Sequence, residues 1–413
     1  MSYRFHRLVQ ICFLTVVTLL LFYQCKIVKT VKVLKSGSVA QKNFKEVIVF
    51  ENRAGLIIVK VNINGKDYNF IFDTGAVNCV TKEVAEELHL TPVLDQTAVD
   101  AEGKKGGLKF ALLDELKLGK LSFLKTSAAI IDLKAVPELA CLHVDGLIGA
   151  NLMRMAFWQI DYKKKTLIAA SSMDSLFIPA NTGSFNFTPQ LSGTPVVNLK
   201  VNGVESKGNI FDTGSSGDIL LPAATLKKLL DLDKNLVYAR GSGSNSAGLY
   251  GRGNDTMHVA LVDSLRMGSF LLKNHATEFK RANGGNLGSA FFKDYIVSIN
   301  WQKKKIWFQP QEKSENNTWE NFGSTANTQD KKLIVAFLFE KSPAAEAGIR
   351  QGDQILTIDG KDFSEIKAEV YCDMIINTAP WKKGRKITLE LKPADGSAQK
   401  IVTLEKRNLL TTK

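Results

Sequence analysis

Apolar residues alternate with polar ones at Val59, Val61 and Ile63; an Asn64-Gly65 pair follows, and Phe70-Ile71-Phe72 then runs apolar without a break. This predicts a β-hairpin with a tight two-residue turn, whose second strand is buried on both faces. The pattern returns downstream as Leu199, Val201, Asn202-Gly203 and Ile210-Phe211. Each apolar strand runs into Asp-Thr-Gly, at 73–75 and 212–214. In both places an apolar stretch closes on glycine 76 residues after the Asp, as Leu147-Ile148-Gly149 and as Leu287-Gly288. Further on, Ile160-Asp161-Tyr162 answers to Ile299-Asn300-Trp301, and each leads through lysines to another apolar strand. One unit of roughly 125 residues is therefore expected twice.

Each unit contributes one carboxylate at a turn after a buried strand. Gly75 and Gly214 allow a close backbone approach that a Cβ would hinder. Two carboxylates a few ångströms apart cannot both ionise cheaply, so such a pair keeps one proton over a wide pH range and can act as acid and base together.

At these residues the chain resembles the aspartic peptidases, in particular retropepsin-like proteins with both lobes fused in one polypeptide. The resemblance covers about residues 46–310. It implies that Asp73 and Asp212 share a water that attacks the peptide carbonyl, with no metal, cofactor or covalent intermediate. It also implies that Thr74 and Thr213 hydrogen-bond across the two-fold, and that Gly149 and Gly288 let their strands pass beneath the Asp turns. Hairpin flaps are expected over the cleft. In the first lobe this is residues 99–110, with Gly103, Gly106 and Gly107 at the tip; in the second it is the longer stretch from Gly241 to Gly253, which includes Tyr250.

Residues 311–327 are polar and poor in aliphatics, as a linker between domains should be. Beyond them stand Ser342-Pro343-Ala344-Ala345-Glu346-Ala347-Gly348-Ile349, Gly352-Asp353-Gln354-Ile355 and Ile358-Asp359-Gly360. These resemble a bacterial PDZ domain over about 328–408. Ser342 is expected to cap a short helix that begins at Pro343 and stops at Gly348. A longer helix is expected near 363–378, with strands at 386–392 and 399–404. PDZ domains take an extended peptide beside a strand and a helix. The glycine-containing carboxylate loop of that family is not visible at Lys331-Lys332-Leu333-Ile334. The polar linker suggests a domain that tunes substrate choice and can be removed without harm to the lobes.

The expected fold is thus mainly β: two pseudo-two-fold-related β-barrel lobes, 46–170 and 171–310, followed by a small α/β PDZ domain. The remaining composition bounds the rest. In 413 residues, 45% of them hydrophobic, there is room for several real cores. The net charge of +13 comes partly from lysine runs at 163–165 and 303–305, which read as solvated hairpin ends. No stripe of arginines interleaved with aromatics points to nucleic acid.

Arg4 and Arg7 precede an apolar run from Leu8 to Tyr23, so residues 1–25 read as a signal or membrane anchor, with a basic linker at 26–45. Cys25 stands where a lipoprotein cysteine would. The expectation is an exported protein tethered in a bacterial cell envelope and competent as a monomer. Cys79, Cys141 and Cys372 make no disulfide framework; a Cys79–Cys141 bridge and buried free thiols both remain open.

Other chemistries lack their patterns. There is no Gly-x-Ser-x-Gly elbow, and five scattered histidines have no metal-ligand spacing. A Cys79 or Cys141 pair with His143 has no surrounding signature. The readings left are an aspartic endopeptidase, whose PDZ domain assists substrate choice, and a non-catalytic peptide-binding protein on the same scaffold.

Overall fold

The computed structural model describes residues 27–411, apart from 101–102, 249–250, 281–283, 312–318 and 378–383. The segment read as a signal or anchor lies outside the described residues, as do most of the polar linker and Tyr250. Among the described residues no helix is long and apolar enough to cross a membrane.

The chain is mainly β. Strands Leu56–Ile63 and Lys66–Asp73 pair antiparallel, and Asn64 and Gly65 both have positive φ at the turn between them. That conformation suits a two-residue hairpin, and Asn-Gly is the pair that adopts it most readily. Strands Pro195–Val201 and Val204–Phe211 repeat the arrangement around Asn202-Gly203.

Gly146–Gly149 runs parallel beside Phe70–Asp73 and antiparallel to Cys79–Thr81. In the second lobe Asn286–Leu287 runs parallel to Ile210–Phe211 and antiparallel to Ile219–Leu220. A long hairpin flanks each set, Lys105–Leu118 with Leu121–Ile131 and Asp255–Met267 with Phe270–Lys280.

The lobes join through a six-stranded sheet to which both contribute. At its centre Phe157–Asp161 pairs with Tyr295–Asn300, and Trp158 stands opposite Ile299. The lysine runs turn at its hairpin ends. There Asp161 Oδ1 accepts from the Lys164 N–H at 2.9 Å and Asn300 Oδ1 from the Lys303 N–H at 2.8 Å. The core above this sheet fixes the two Asp strands. Phe72 packs on Trp158 with ring centroids 4.9 Å apart, and Phe211 stacks on Phe292 at 4.2 Å. All four rings are fully enclosed. The residue before each Asp is thus clamped by aromatic packing, which limits how far either carboxylate can drift.

Residues 27–34 are helical rather than a loose basic linker; Val33 and Leu34 are buried against the first lobe, and Thr30 accepts a hydrogen bond from Gln96 at 2.7 Å.

The C-terminal region has strands Ser324–Gln329, Lys332–Phe339, Gln354–Ile358, Lys386–Lys392 and Lys400–Glu405, with helices Pro343–Glu346 and Ala368–Ile376. Ser342 Oγ accepts from the Ala345 N–H at 3.2 Å, and Gly348 ends the turn with φ +72. Two features overturn the picture of a separable domain. Phe337–Phe339 pairs with Gly241–Gly243, so one continuous sheet runs from the second lobe into this domain. Cys141 of the first lobe is disulfide-bonded to Cys372 on the helix at 368–376. Neither a Cys79–Cys141 bridge nor three free thiols is present; Cys79 is the free, buried cysteine. The pairing was out of reach of the sequence because the partners lie 231 residues apart and meet only through the docked domain.

The glycines of the second flap stretch acquire a different meaning as well. A Cβ at Gly241 would lie 2.6 Å from the Phe337 ring, and one at Gly243 would lie 2.1 Å from the Ala336 carbonyl oxygen. They are small because another strand is docked on them.

Candidate active site

Asp73 and Asp212 stand at the ends of their strands, facing one another across the lobe boundary. The Thr74 hydroxyl donates to the Phe211 carbonyl at 2.7 Å and accepts from the Thr213 N–H at 3.0 Å. Reciprocally, the Thr213 hydroxyl donates to the Phe72 carbonyl at 2.8 Å and accepts from the Thr74 N–H at 3.0 Å. Both threonines are fully buried. All four bonds of this grip run from one lobe to the other, so the grip fixes the relative position of the two turns.

The glycines complete the fit. A Cβ at Gly75 would lie 2.5 Å from Asp212 Cγ, and one at Gly214 would lie 2.2 Å from Asp73 Cγ. Each carboxylate therefore occupies the space that the opposite lobe's glycine vacates. Beneath them, a Cβ at Gly149 would lie 2.0 Å from the Val77 carbonyl carbon, and one at Gly288 would lie 2.3 Å from the Gly217 oxygen. These two glycines are needed for close approach rather than for unusual torsions.

The electrostatics follow from burial. Asp73 Oδ1 accepts from the N–H groups of Gly75 at 2.8 Å and Ala76 at 3.1 Å. Asp212 Oδ1 accepts from Gly214 N–H at 2.9 Å, and its Oδ2 accepts from Asn286 Nδ2 at 2.7 Å. Burial pushes the Asp73 carboxyl well above the usual carboxylate range; the neighbouring Asp212 charge and a hydrogen bond to Asp212 raise it further. Burial also raises Asp212, while the hydrogen bonds from Asn286 and Asp73 hold it down. Both directions favour holding one proton between the two carboxyls rather than ionising both.

Asn286 was not singled out in the sequence. Its signal was available, since it occupies the position of Leu147 in the matching apolar–Gly strand.

The flap residues are placed differently from one another. In the first hairpin the Gly103 N–H donates to the Asp100 carbonyl at 3.0 Å, the Asp100 N–H to the Lys104 carbonyl at 2.9 Å, and Gly103 has φ +77. Gly106 and Gly107 lie inside the following strand, opposite Ala98 and Thr97, and not at the tip. In the second lobe Ala247–Gly248 pairs with Gly251–Arg252. The two hairpins meet: Lys104 Nζ donates to the Arg252 carbonyl at 2.7 Å.

The Arg252 guanidinium in turn pairs with Glu138 of the first lobe and reaches Tyr371 Oη of the C-terminal helix at 2.9 Å. Tyr371 Oη also donates to Glu138 at 2.6 Å. Both hairpins, the first lobe and the C-terminal domain thus converge on one polar cluster beside the Cys141–Cys372 bridge.

Tyr371 of that cluster lies on the helix Ala368–Ile376 of the C-terminal domain. Among the described residues, strand 324–329 is paired only through 332–339, which leaves one edge open. Lys331 is a turn residue and Lys332–Ile334 belong to the inner strand, so these residues do not lead into the open-edged strand. The residues that enter the open-edged strand are Phe322, which is buried, and Gly323 with φ +95. A glycine is therefore present at the entry to the open-edged strand.

Thiol chemistry has no footing here. Cys141 is bridged, and burial raises the Cys79 thiol far above the range in which a nucleophilic thiolate forms.

A family model described as aspartyl protease matches residues 59–152, and one described as PDZ domain matches residues 308–392. The chain therefore carries an aspartyl-protease domain followed by a PDZ domain, the order read from its motifs. The first match spans the Asp73 turn and Gly149; the second Asp-Thr-Gly turn lies beyond it and is tied in by the grip described above. No curated protein matches the chain.

Replacing either grip threonine by valine keeps the shape and removes the hydroxyl. In Thr74→Val the Thr213 N–H and the Phe211 carbonyl lose their partners in a water-free place, at about 1–3 kcal/mol for each unpaired group. Denaturant unfolding should show that loss, and Thr213→Val should match it. A variant as stable as the parent would mean that the hydroxyls do not hold the lobes together.

Proposed function

We propose that the protein is an aspartic endopeptidase in which Asp73 and Asp212 act as one dyad. The observation that carries this reading is the mutual fit of the two turns, in which each carboxylate fills the space left by the other lobe's glycine. A water bound between the carboxylates gives a proton to the ionised one, and its oxygen bonds to the peptide carbonyl carbon. The protonated carboxyl gives its proton to the carbonyl oxygen. As the C–N bond breaks, the first carboxyl returns its proton to the leaving nitrogen; the second recovers one from the hydroxyl it had protonated. Both lobes belong to one chain, so a monomer suffices.

The two hairpins that meet at Lys104 and Arg252 would close over the bound peptide. The PDZ groove between strand 324–329 and helix 368–376 would take an extended segment by strand addition and deliver it to the cleft. The N-terminal run Leu8–Tyr23 supports export and tethering to the envelope. The test is cleavage of a peptide library by the purified chain, with activity lost on addition of a peptide that carries a hydroxyl at the scissile carbon. Absence of any cleavage over the acid-to-neutral range would favour a non-catalytic peptide binder.

A further inference from the structure

The two lobes share the turn-and-strand arrangement around the dyad but differ at a position that touches it. In the first lobe Leu147 pairs with Ile71, two residues before Asp73; in the second, Asn286 pairs with Ile210, two residues before Asp212. The leucine offers no hydrogen bond. The asparagine places Nδ2 at 2.7 Å from Asp212 Oδ2.

The consequence is an imbalance of donors. Asp212 receives an N–H on each oxygen, from Gly214 on Oδ1 and from Asn286 on Oδ2. Among the described residues, Asp73 receives N–H groups on Oδ1 alone, from Gly75 and Ala76. An ionised carboxylate is acceptor-only and welcomes donors on both oxygens, whereas a protonated one must place its own hydrogen on one of them. A proton on Asp212 Oδ2 would point at the Asn286 amide hydrogens; a proton on Asp73 Oδ2 meets no such obstacle and can reach across to Asp212.

The amide orientation supports the same choice. Asn286 Oδ1 is enclosed without a hydrogen-bond partner. Turning the amide over would set that oxygen against the Asp212 carboxylate, an arrangement that an acceptor-only, ionised Asp212 disfavours. Other titratable groups that sense the pair are the Cys79 thiol and the Tyr162 hydroxyl, and burial keeps both neutral.

We infer that Asn286 is a positioning residue that holds Asp212 as the ionised member of the pair and leaves the shared proton on Asp73. This rests on the dyad reading above and deepens it: Asp212 accepts the proton of the attacking water, and Asp73 donates to the substrate carbonyl oxygen. Asn286 itself gives up and receives no proton.

The test is the pH profile of kcat/KM for the full chain and two mirror variants. Asn286→Leu copies the first lobe and removes a bond that favours ionised Asp212, so the first proton leaves the pair less readily. The acid limb should move up by about one pH unit while the alkaline limb stays, because Asp212 is ionised on both sides of that second step. Leu147→Asn sets a donor on the other side; it should favour ionised Asp73 and move the alkaline limb down. An acid limb unmoved in Asn286→Leu would overturn the assignment.

Carbon-13 titration of the aspartate carboxyls in the wild-type chain decides the matter without substrate, and also if a variant fails to fold. Asp212 should ionise first and Asp73 last, and the reverse order would refute the inference. Failure of peptide cleavage in the wild type would count against the proposed activity, and the carboxyl titration would still report on the assignment.

Discussion

Asp73→Asn and Asp212→Asn should each lower peptide hydrolysis by three or more orders of magnitude, while the fold stays intact. An amide can neither take a proton from water nor carry the shared one, so either change leaves half of an acid–base pair. The expected loss is large because the two groups act as a unit, and the double variant should be little worse than either single one. Stability should not fall with activity. Asp73 and Asp212 are half-buried, with carboxyls raised above their unfolded values, and a group raised in this way favours folding at low pH and opposes it as pH rises through its unfolded value. Neutral amides remove that opposition, so above the ordinary carboxylate range both variants should unfold at equal or higher denaturant concentration than the parent. Kinetics on one peptide together with denaturant melts check both halves. An Asp212→Asn protein of near-normal activity would remove the dyad from the mechanism.

Much of the architecture was legible because local patterning and tertiary structure agree. Asn64-Gly65 and Asn202-Gly203 take the positive φ that a two-residue hairpin needs, and alternation before them and unbroken apolarity after them set strand and burial together. The Ser342 cap and the Gly348 stop were readable for the same reason: each is fixed within one turn of chain. What was missed is set by contacts distant in sequence. Gly241 and Gly243 look like a flexible loop until the strand at 337–339 is seen packed on them. Cys141 and Cys372 carry no spacing rule, and Glu138, Arg252 and Tyr371 are ordinary surface types until three parts of the chain bring them together. Asn286 was overlooked because the repeat was read for what its two halves share. Its importance lies in what they do not share, and a two-fold arrangement hides such a difference unless the halves are compared residue by residue.

Removal of everything after Gln311 should therefore do more than blunt substrate choice, contrary to what the polar linker suggests. The cut takes away the strand at 332–339, whose last residues pair with Gly241–Gly243, and with it Phe337 and Phe339. Ala239, Met257 and Val259, buried in the same cluster, would face water; exposing each of the two larger side chains costs about 1.5–3 kcal/mol. The truncation also unpairs Cys141 and deprives Arg252 of Tyr371, loosening the second-lobe hairpin at Gly241–Gly243 and at Arg252. Hydrolysis of even a short peptide, too small to reach the PDZ groove, should fall at least ten-fold, and residues 238–267 should lose protection from hydrogen exchange. A Cys141→Ser, Cys372→Ser chain separates the contributions, because it keeps the docked strand and gives up only the cross-link. Its stability should drop by about 2–4 kcal/mol, and short-peptide cleavage should fall less than in the truncated chain. If the truncated protein cleaves short peptides as fast as the whole chain and keeps the second flap protected, the docked strand is a passive neighbour and the coupling of PDZ domain to flap is wrong.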